Sequence, residues 1–231
     1  MAQYYTDFSE YADLDAFRAE WTPRFNSSSV SLIDDPAVEG GKYIRFVMAH
    51  GYARRAYSWD AIDSDLNRDE VDVLCRCRTS HSSTTAGTVG VIVRGSGGIG
   101  TETGYAGQHS RIVRYNSGSG DVLASNAGIG SGWFWLRFKA YGTSLSLSIW
   151  NGGLIDEPAP PVLQVLDSSV SPVGFVGLFA FNLATDDWSV FSVGTNGDPA
   201  PTAPVPVGPT TPASLITSNI MANSFRAGWT P

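Results

Sequence analysis

The chain has 231 residues, of which 42% are hydrophobic and 16% charged, so it can bury a large core and is not a disordered protein. Its formal net charge of −7 argues against a nucleic-acid or anionic-membrane partner, because both are bound by clustered Lys and Arg. Residues 1–10 lack the features of a signal peptide, and no apolar run approaches the roughly 20 residues needed to cross a bilayer.

The first part of the chain predicts one short helix among strands. Tyr4–Phe8 is predicted to be an opening strand or arm. Leu14, Phe17 and Trp21 recur at helical spacing, which predicts a short helix within Asp13–Trp21. Three predicted strands follow: Ser27–Ile33, Tyr43–Met48 and Arg54–Trp59. The polar, acidic segment Asp60–Asp69 predicts a loop.

Further along, apolar and polar residues alternate with a period of two, which is typical of half-buried strands. These predicted strands are Val71–Arg78, Thr88–Arg94, Gly104–Gln108, Ile112–Tyr115, Val122–Ala124, Val162–Asp167, Gly174–Phe181 and Trp188–Val193. Gly95–Gly100 and Asn116–Gly120 are predicted to be turns between them.

The clearest pattern lies in Trp133–Trp150, where two alternating runs meet at the predicted turn Tyr141–Thr143. The apolar face of this hairpin comprises Phe134, Leu136, Phe138, Ala140, Leu145, Leu147 and Ile149. Because more than ten short strands are separated by turn signals, we predict an all-β fold, a two-sheet antiparallel jelly-roll sandwich.

The opposite face of the first run carries the candidate ligand or partner surface: Trp133, Trp135, Arg137 and Lys139. Aromatic rings on an exposed sheet can stack on sugars or bury against another protein. Ordinary packing inside the domain is the competing interpretation, with the tryptophans covering core edges or lying under the N-terminal arm.

Metal and disulfide chemistry is not indicated. Cys75 and Cys77 lie two apart on a predicted strand, where a bond between them would strain the extended backbone, so we predict two reduced core residues. The three histidines have no ligand spacing for zinc. Three acidic stretches offer oxygen atoms to Ca²⁺ but match no fixed ligand spacing: Asp34–Asp35, Asp60–Asp65 and Asp186–Asp187. We therefore predict no cofactor, with Ca²⁺ as the alternative.

The composition changes after Gly197. Six prolines between residues 198 and 212 predict an extended linker, since proline fixes φ and donates no hydrogen bond. We thus divide the chain into a sandwich domain (1–196), a linker (197–212) and a C-terminal segment (213–231). That last segment is predicted to be an assembly arm, or the start of a further domain, with apolar contacts made by Ile216, Ile220, Phe225 and Trp229.

Two blocks resemble the concanavalin A-like lectin/glucanase superfamily, especially its laminin-G-like modules. The first is Trp135–Ala140 followed by Gly142 and Leu145–Trp150, and the second is Gly174–Phe179 followed by Trp188–Thr195. The resemblance covers about Val71–Thr195 and implies the fold. It also implies a rim site for Ca²⁺ as one possibility for the acidic loops.

Other residues resemble domains of tailed-phage virion proteins: Asp7-Phe8, Trp59-Asp60, Arg94–Gly97 and Glu157-Pro158. Ser218–Pro231 is similar to the first two strands of a fibronectin type III-like domain. These resemblances imply a tail-fibre, tail-tip or capsid-decorating subunit, made in the host cytoplasm and placed in the virion. They also imply a homo-oligomer, such as a trimer, among other virion proteins.

One acidic motif bears on catalysis. Glycoside hydrolases of the superfamily carry Glu-x-Asp-x-(x)-Glu on one strand, and Glu70-Val71-Asp72 matches its first two acidic positions. The next acid should stand at position 74 or 75, which Leu74 and Cys75 occupy. A retaining hydrolase needs two carboxyl groups about 5–5.5 Å apart. We therefore predict no catalytic residues.

Three functions compete. The leading hypothesis is a non-enzymatic phage virion structural protein whose sandwich presents a surface for assembly or host-surface attachment, a host glycan included. The alternative is a carbohydrate-binding module of an adhesin or polysaccharide-degrading system. A hydrolase of this fold is the weakest of the three. No nucleic acid or membrane insertion enters any of them.

Overall fold

The segments in which apolar and polar residues alternate form two facing antiparallel sheets in the computed structural model of the chain. The structure describes residues 2–25, 29–47, 54–63, 70–80, 88–94, 99–104, 109–116, 119–127, 132–169, 174–181 and 185–205. The elements are β1 Ala2–Thr6, α1 Leu14–Glu20, β2 Trp21–Phe25, β3 Val30–Asp34, β4 Lys42–Val47, β5 Arg54–Trp59, α2 Asp60–Asp63, β6 Glu70–Ser80, β7 Thr88–Val93, β8 Ile99–Gly104, β9 His109–Asn116, β10 Ser119–Ala127, β11 Phe134–Tyr141, β12 Ser144–Trp150, β13 Leu163–Leu166, β14 Gly177–Phe181 and β15 Thr185–Thr195.

Sheet A has the strand order β13-β12-β11-β6-β15-β4-β3, and sheet B has the order β10-β9-β8-β7-β14-β5-β2. The long strand β15 has two partners on its outer side. Its first residues, 185–188, pair with β4, and its last, 191–195, pair with β1. A bulge at Ser189 separates these halves: Trp188 lies opposite Cys77, and Val190 lies opposite the next residue, Arg76.

The core fills the space between the sheets. On β6 the alternation of Val71, Val73, Cys75 and Cys77 towards the core is as predicted, and all four are fully buried. An aromatic cluster closes one region of this core, where the Trp21 ring stacks on Trp59 with centroids 5.2 Å apart. Cys75 and Cys77 are free and buried, which confirms the prediction of reduced core residues.

The predicted short helix is confirmed with one correction. It spans α1, and the carboxylate of its N-cap Asp13 accepts a hydrogen bond from the Ala16 backbone N–H at 2.9 Å. Trp21, predicted to belong to the helix, instead begins β2 and pairs with Trp59. This strand was missed because it contains Pro23 and has no alternating pattern. Pairing with β5 forms it at the sheet edge, where proline is tolerated.

Two predicted loops also differ from the structure. The acidic loop Asp60–Asp69 begins with the helical turn α2, which buries Ile62 completely. The predicted turn Gly95–Gly100 gives way to β8 at Ile99, whose backbone pairs with β7 and β9. Residues 105–108 of the strand predicted at Gly104–Gln108 lie outside the described residues. In the described part of the chain no helix is long and apolar enough to span a membrane.

Sheet A also carries buried residues on its outer face, away from sheet B. A second hydrophobic cluster there comprises Leu74, Trp135, Trp150, Val190 and Ala200. Ala200 comes from the beginning of the predicted linker, so residues 198–201 lie against the sandwich. The remaining residues of that linker up to Val205 are exposed. Ile216, Ile220, Phe225 and Trp229 of the predicted arm lie outside the described residues.

Candidate functional site

The four predicted surface residues share the outer face of sheet A but have different surroundings. Trp135 is only 5% exposed, and its ring stacks on Trp150 with centroids 6.4 Å apart. Packing inside the domain therefore accounts for Trp135. Trp133 is half-buried, and the structure places it beside arginines instead of in the same pocket as Arg137 and Lys139.

The C-terminal segment covers the sheet next to Trp135. Ala200 is 3% exposed within the outer cluster, and the Gln3 side-chain N–H donates to the Pro199 carbonyl at 2.8 Å. The backbone of Asp198 and Pro199 passes so close to Gly194 that a Cβ at this position would collide with it. Segment and sheet are thus fitted to each other, which no pattern in the sequence indicates.

Arg137 and Lys139 line a cleft on the same face. In the β11–β12 hairpin, Arg137 lies opposite Ser148 and Lys139 lies opposite Ser146. The residues after β12 form the other wall. The whole lining comprises Arg137, Lys139, Ser146, Ser148, Glu157, Pro158, Ala159 and Pro161, around a volume of about 310 Å³. This volume is at the lower end of the range for small-molecule sites.

A short 3₁₀ turn, Leu154–Asp156, holds the wall that carries Glu157. The Asp156 carboxylate accepts a hydrogen bond from the Gly153 backbone N–H at 2.8 Å. The Trp150 indole N–H donates to the Gly153 carbonyl, also at 2.8 Å. The wall is therefore fixed to the end of β12, and Glu157 is brought to the cleft by contacts that local sequence spacing does not reveal.

Asp72 lies behind the two cations and is completely buried. Its carboxylate oxygens are 3.8 Å from Nε of Arg137 and 3.8 Å from Nζ of Lys139, while Nη1 of Arg137 is 3.4 Å from the Glu157 carboxylate. Neither Asp72 oxygen, nor Nε of Arg137, has a hydrogen bond of normal geometry. Burial raises the pKa of Asp72, and the two cations and the Ala200 backbone N–H oppose that rise.

This arrangement bears on the acidic motif of β6. The predicted polar face is confirmed, with Glu70, Asp72, Arg76 and Arg78 on the side opposite the core. Glu70 is exposed at the start of the strand, whereas Asp72 is sealed beneath Arg137, Lys139 and Ala200. Leu74, at one of the two positions where the motif requires its last acid, belongs to the outer hydrophobic cluster. Glu157 is the carboxylate that lines the cleft.

A second polar group, the arginine cluster, lies farther along the same face: Arg45, Arg76, Arg78, Tyr43, Trp133, Glu39 and Asp187. Asp187, almost fully buried, accepts two hydrogen bonds from Arg45 at 2.8 and 2.9 Å and one from Arg78 at 2.7 Å. The bond to Asp187 raises the pKa of Arg45, although partial burial opposes it. The Arg78 guanidinium lies 4.4 Å from the Trp133 ring centroid. Arg76 pairs with Glu39.

The described residues of the acidic stretches proposed for Ca²⁺ form no metal site. Asp186 and Asp187 are on β15 and not on a loop, and Asp187 is engaged by arginines. Asp34 lies 3.9 Å from Lys42, and Asp35 caps the backbone N–H of Ala37. Part of Asp60–Asp65 lies outside the described residues. Among the residues that the structure describes, no group of three His, Cys, Asp or Glu side chains is placed to hold a metal.

No protein-family model matches the sequence, and no curated protein has a significant match to it. Solved structures do match. The carbohydrate binding module CBM66 from Bacillus subtilis has a TM-score of 0.52 at 14% identity, covering 73% of this chain and 91% of its own. The Ca²⁺/Man3GlcNAc-bound VIP36 exoplasmic/lumenal domain has a TM-score of 0.52 at 7% identity, covering 80% and 86%.

The conserved carbohydrate esterase of the Shiga toxin-encoding bacteriophage phi24B is a further match, with a TM-score of 0.50 at 13% identity, covering 77% of this chain and 90% of its own. At such low identities these likenesses establish the fold alone. The fold is a concanavalin A-like, two-sheet antiparallel sandwich, which confirms the predicted fold class.

Proposed function

We propose that this chain is a carbohydrate-binding module that holds a saccharide in the cleft between β11, β12 and the Glu157–Pro161 wall. The observation that carries the proposal is the composition of that cleft. Two cations, two hydroxyls and one carboxylate converge on one concave site of about 310 Å³. A few convergent polar groups in a concave site are what a small ligand requires.

The chemistry of these groups suits sugar hydroxyls, each of which both donates and accepts hydrogen bonds. Arg137 and Lys139 donate, Glu157 accepts, and Ser146 and Ser148 do both. The ion pairs with Asp72 and Glu157 hold the cations in place before a ligand arrives, which lowers the cost of ordering them on binding. Pro158 and Pro161 supply apolar surface for the C–H groups of a sugar ring.

The likenesses support the same class of function. One matched structure is described as a carbohydrate binding module, and another was solved with Man3GlcNAc bound. The proposal differs from the leading hypothesis of the sequence analysis, which placed assembly first and sugar binding second.

The test is binding of the full chain to a glycan array, followed by calorimetric titration of the glycans retained. Lys139→Gln is the informative variant, because the Lys139 side chain is 38% exposed and Arg137 still faces Asp72 when the lysine charge is removed. We expect it to weaken binding about tenfold, equivalent to about 1.4 kcal/mol. If this variant binds every retained glycan with full affinity, the cleft is not the saccharide-binding site.

We also propose that the module is non-enzymatic. The support is the separation of its acidic groups: Glu157 lines the cleft, Asp72 is sealed behind Arg137 and Lys139, and Glu70 lies beyond Asp72 at the exposed start of β6. A hydrolase of the two-carboxylate type would need two such groups facing the same bond.

A virion role is the second candidate, and it is compatible with glycan binding on a host surface. Its support is the resemblance to tailed-phage domains, together with a fold match to a bacteriophage protein. In this setting the chain would be a homo-oligomeric subunit of a tail or capsid. Light scattering of the purified full chain tests it: a stable trimer supports the assembly role, and a monomer at every concentration contradicts it.

A further inference from the structure

The outer face of sheet A carries a second concentration of charge, distinct from the cleft. The register places Arg78, Asp187 and Arg45 in one row across β6, β15 and β4, and Trp133, just before β11, lies beside Arg78. Lys139, in the cleft, comes six residues after Trp133, which directly precedes β11, so the two are about 20 Å apart at strand spacing. The arginine cluster and the cleft are therefore separate sites on one surface.

Asp187 organises this cluster. It accepts three charge-assisted hydrogen bonds from two arginines and is almost completely buried, so both guanidinium groups are fixed in direction. The side chains of Arg45 and Arg78 remain 31% and 28% exposed. Within the described part of the chain, Nη1 of Arg45 and both Nη atoms of Arg78 have no hydrogen-bond acceptor.

The charge of the cluster is positive although the chain as a whole is strongly negative. Arg45, Arg76 and Arg78 face two carboxylates, Asp187 and Glu39, which leaves one positive charge. Fixed guanidinium donors beside a net positive charge recognise carboxylates better than hydroxyls. The half-buried Trp133 ring borders these donors and offers a surface against which a sugar ring can pack.

We propose that the arginine cluster is a second binding site, which takes the carboxylate of an acidic sugar in the glycan that this face holds. The inference rests on the proposed function only in that the partner is a glycan. Arg78 and Arg45 hold the carboxylate, Asp187 positions them, and Trp133 packs on the ring that carries it.

The experiment compares tri-galacturonate with its fully methyl-esterified form, so that the two probes differ in charge but hardly in shape. Binding to the full chain is measured by calorimetry. The Trp133 indole N–H signal, assigned by its loss in Trp133→Phe, is followed by NMR. We expect the acid to shift that signal and to bind at least tenfold more tightly than the ester. We also expect its affinity to fall as salt is raised.

The matched variant is Arg78→Lys, which keeps the charge but loses the planar fork, and we expect it to weaken acid binding at least fivefold. Arg76→Gln is the second variant. Its partner Glu39 is partly exposed, so we expect the loss of this pair to cost little stability. It should weaken acid binding without changing the thermal midpoint.

Equal binding of acid and ester, or a Trp133 signal that the acid does not move, would overturn the second site and leave the cleft untouched. Acid binding that is lost in Lys139→Gln but kept in Arg78→Lys would also overturn it, since the carboxylate would then lie in the cleft. Conversely, if no neutral glycan binds in the cleft, the cleft proposal fails, but the shift of the Trp133 N–H signal by the acid can still be observed. The two proposals therefore fail separately.

Discussion

Asp186 and Asp187 are neighbours on β15 but lie on opposite faces of sheet A. Asp187 accepts three hydrogen bonds from Arg45 and Arg78 on the outer face. Asp186 lies between the two sheets, fully buried, and neither of its oxygens has a hydrogen bond of normal geometry. The Thr79 hydroxyl and the nearby charge of Arg55, itself buried, only partly offset the loss of solvent. Two adjacent, identical side chains thus have opposite energetic roles.

Asp186 should make the protein less stable as pH rises. Burial raises the pKa of Asp186 well above the ordinary value of 3.8, so the native state keeps a proton that the unfolded state releases. The free energy of unfolding should therefore fall as pH rises from about 3.8 to the native pKa. Asp186→Asn mimics the protonated form and should remove this fall. Urea unfolding of both proteins at several pH values between 4 and 8 measures it, and parallel curves would contradict it.

Asp187→Asn is the matched control and should act in the opposite direction. It removes the charge that two partly buried arginines share, and breaking a buried ion pair costs about 3 kcal/mol or more. We expect a lower free energy of unfolding at pH 7, measured in the same urea experiments. A gain in stability would mean that the arginines do not need Asp187.

The C-terminal segment should be part of the folded domain. Ala200→Asp places a charge in the outer hydrophobic cluster and beside buried Asp72, so we expect a loss of about 2 kcal/mol and a shift of tryptophan emission to longer wavelength as Trp135 and Trp150 become hydrated. Thr202→Asp, two residues along and exposed, is the control and should change neither. Equal behaviour of the two variants would show that the segment is not anchored at Ala200.

Two serines on β12 distinguish cleft contacts from general effects on the hairpin. Ser146 lines the cleft opposite Lys139, whereas Ser144 is exposed beyond it. For any glycan that the chain binds, Ser146→Ala should weaken binding threefold to tenfold, about 1 kcal/mol for a lost hydrogen bond. Ser144→Ala should leave the affinity unchanged. Calorimetric titration measures both, and an equal loss in the two variants would argue against a ligand in the cleft.

The absence of catalysis is testable with the same purified proteins. We expect no release of reducing ends from any glycan that the chain binds, and Glu70→Gln and Glu157→Gln should not alter that result. Hydrolysis that disappears in Glu157→Gln would identify the cleft as an active site and would overturn the non-enzymatic proposal.

Period-two alternation was sufficient to predict most of the sandwich, because a half-buried strand imposes it on every residue. The inward residues of β11 are all apolar, and those of β6 are apolar from Val71 to Cys77, with the buried Thr79 as the exception. It failed for β2, where pairing with β5 forms the strand, and for β8, which shares only Gly104 with the strand predicted at Gly104–Gln108. Local sequence does not encode a partner strand that is distant along the chain.

The candidate site was only partly predictable for a related reason. The alternation predicted that Trp133 and Trp135 share one face of the strand. It did not predict which residues cover that face. Trp135 is buried because Ala200 and Trp150 lie on it, and Ala200 comes from a proline-rich segment that composition alone describes as a linker. Glu157 reaches Arg137 through a wall fixed by Trp150 and Asp156, a contact that no motif spacing announces.

The single extra residue at the Ser189 bulge makes the two halves of β15 out of phase with each other. Deleting Ser189 would make Trp188 and Val190 sequential, opposite the sequential residues Cys77 and Arg76, so both halves would keep their register with β6 and Asp187, Phe191 and Val193 would keep their faces. A deletion here should therefore be far less damaging than a deletion within either paired half of β15, where the residues beyond it would slip by one position and reverse their faces. The bulge shifts by one position which residues of β15 face the core, so that one continuous strand carries two alternating patterns of opposite phase.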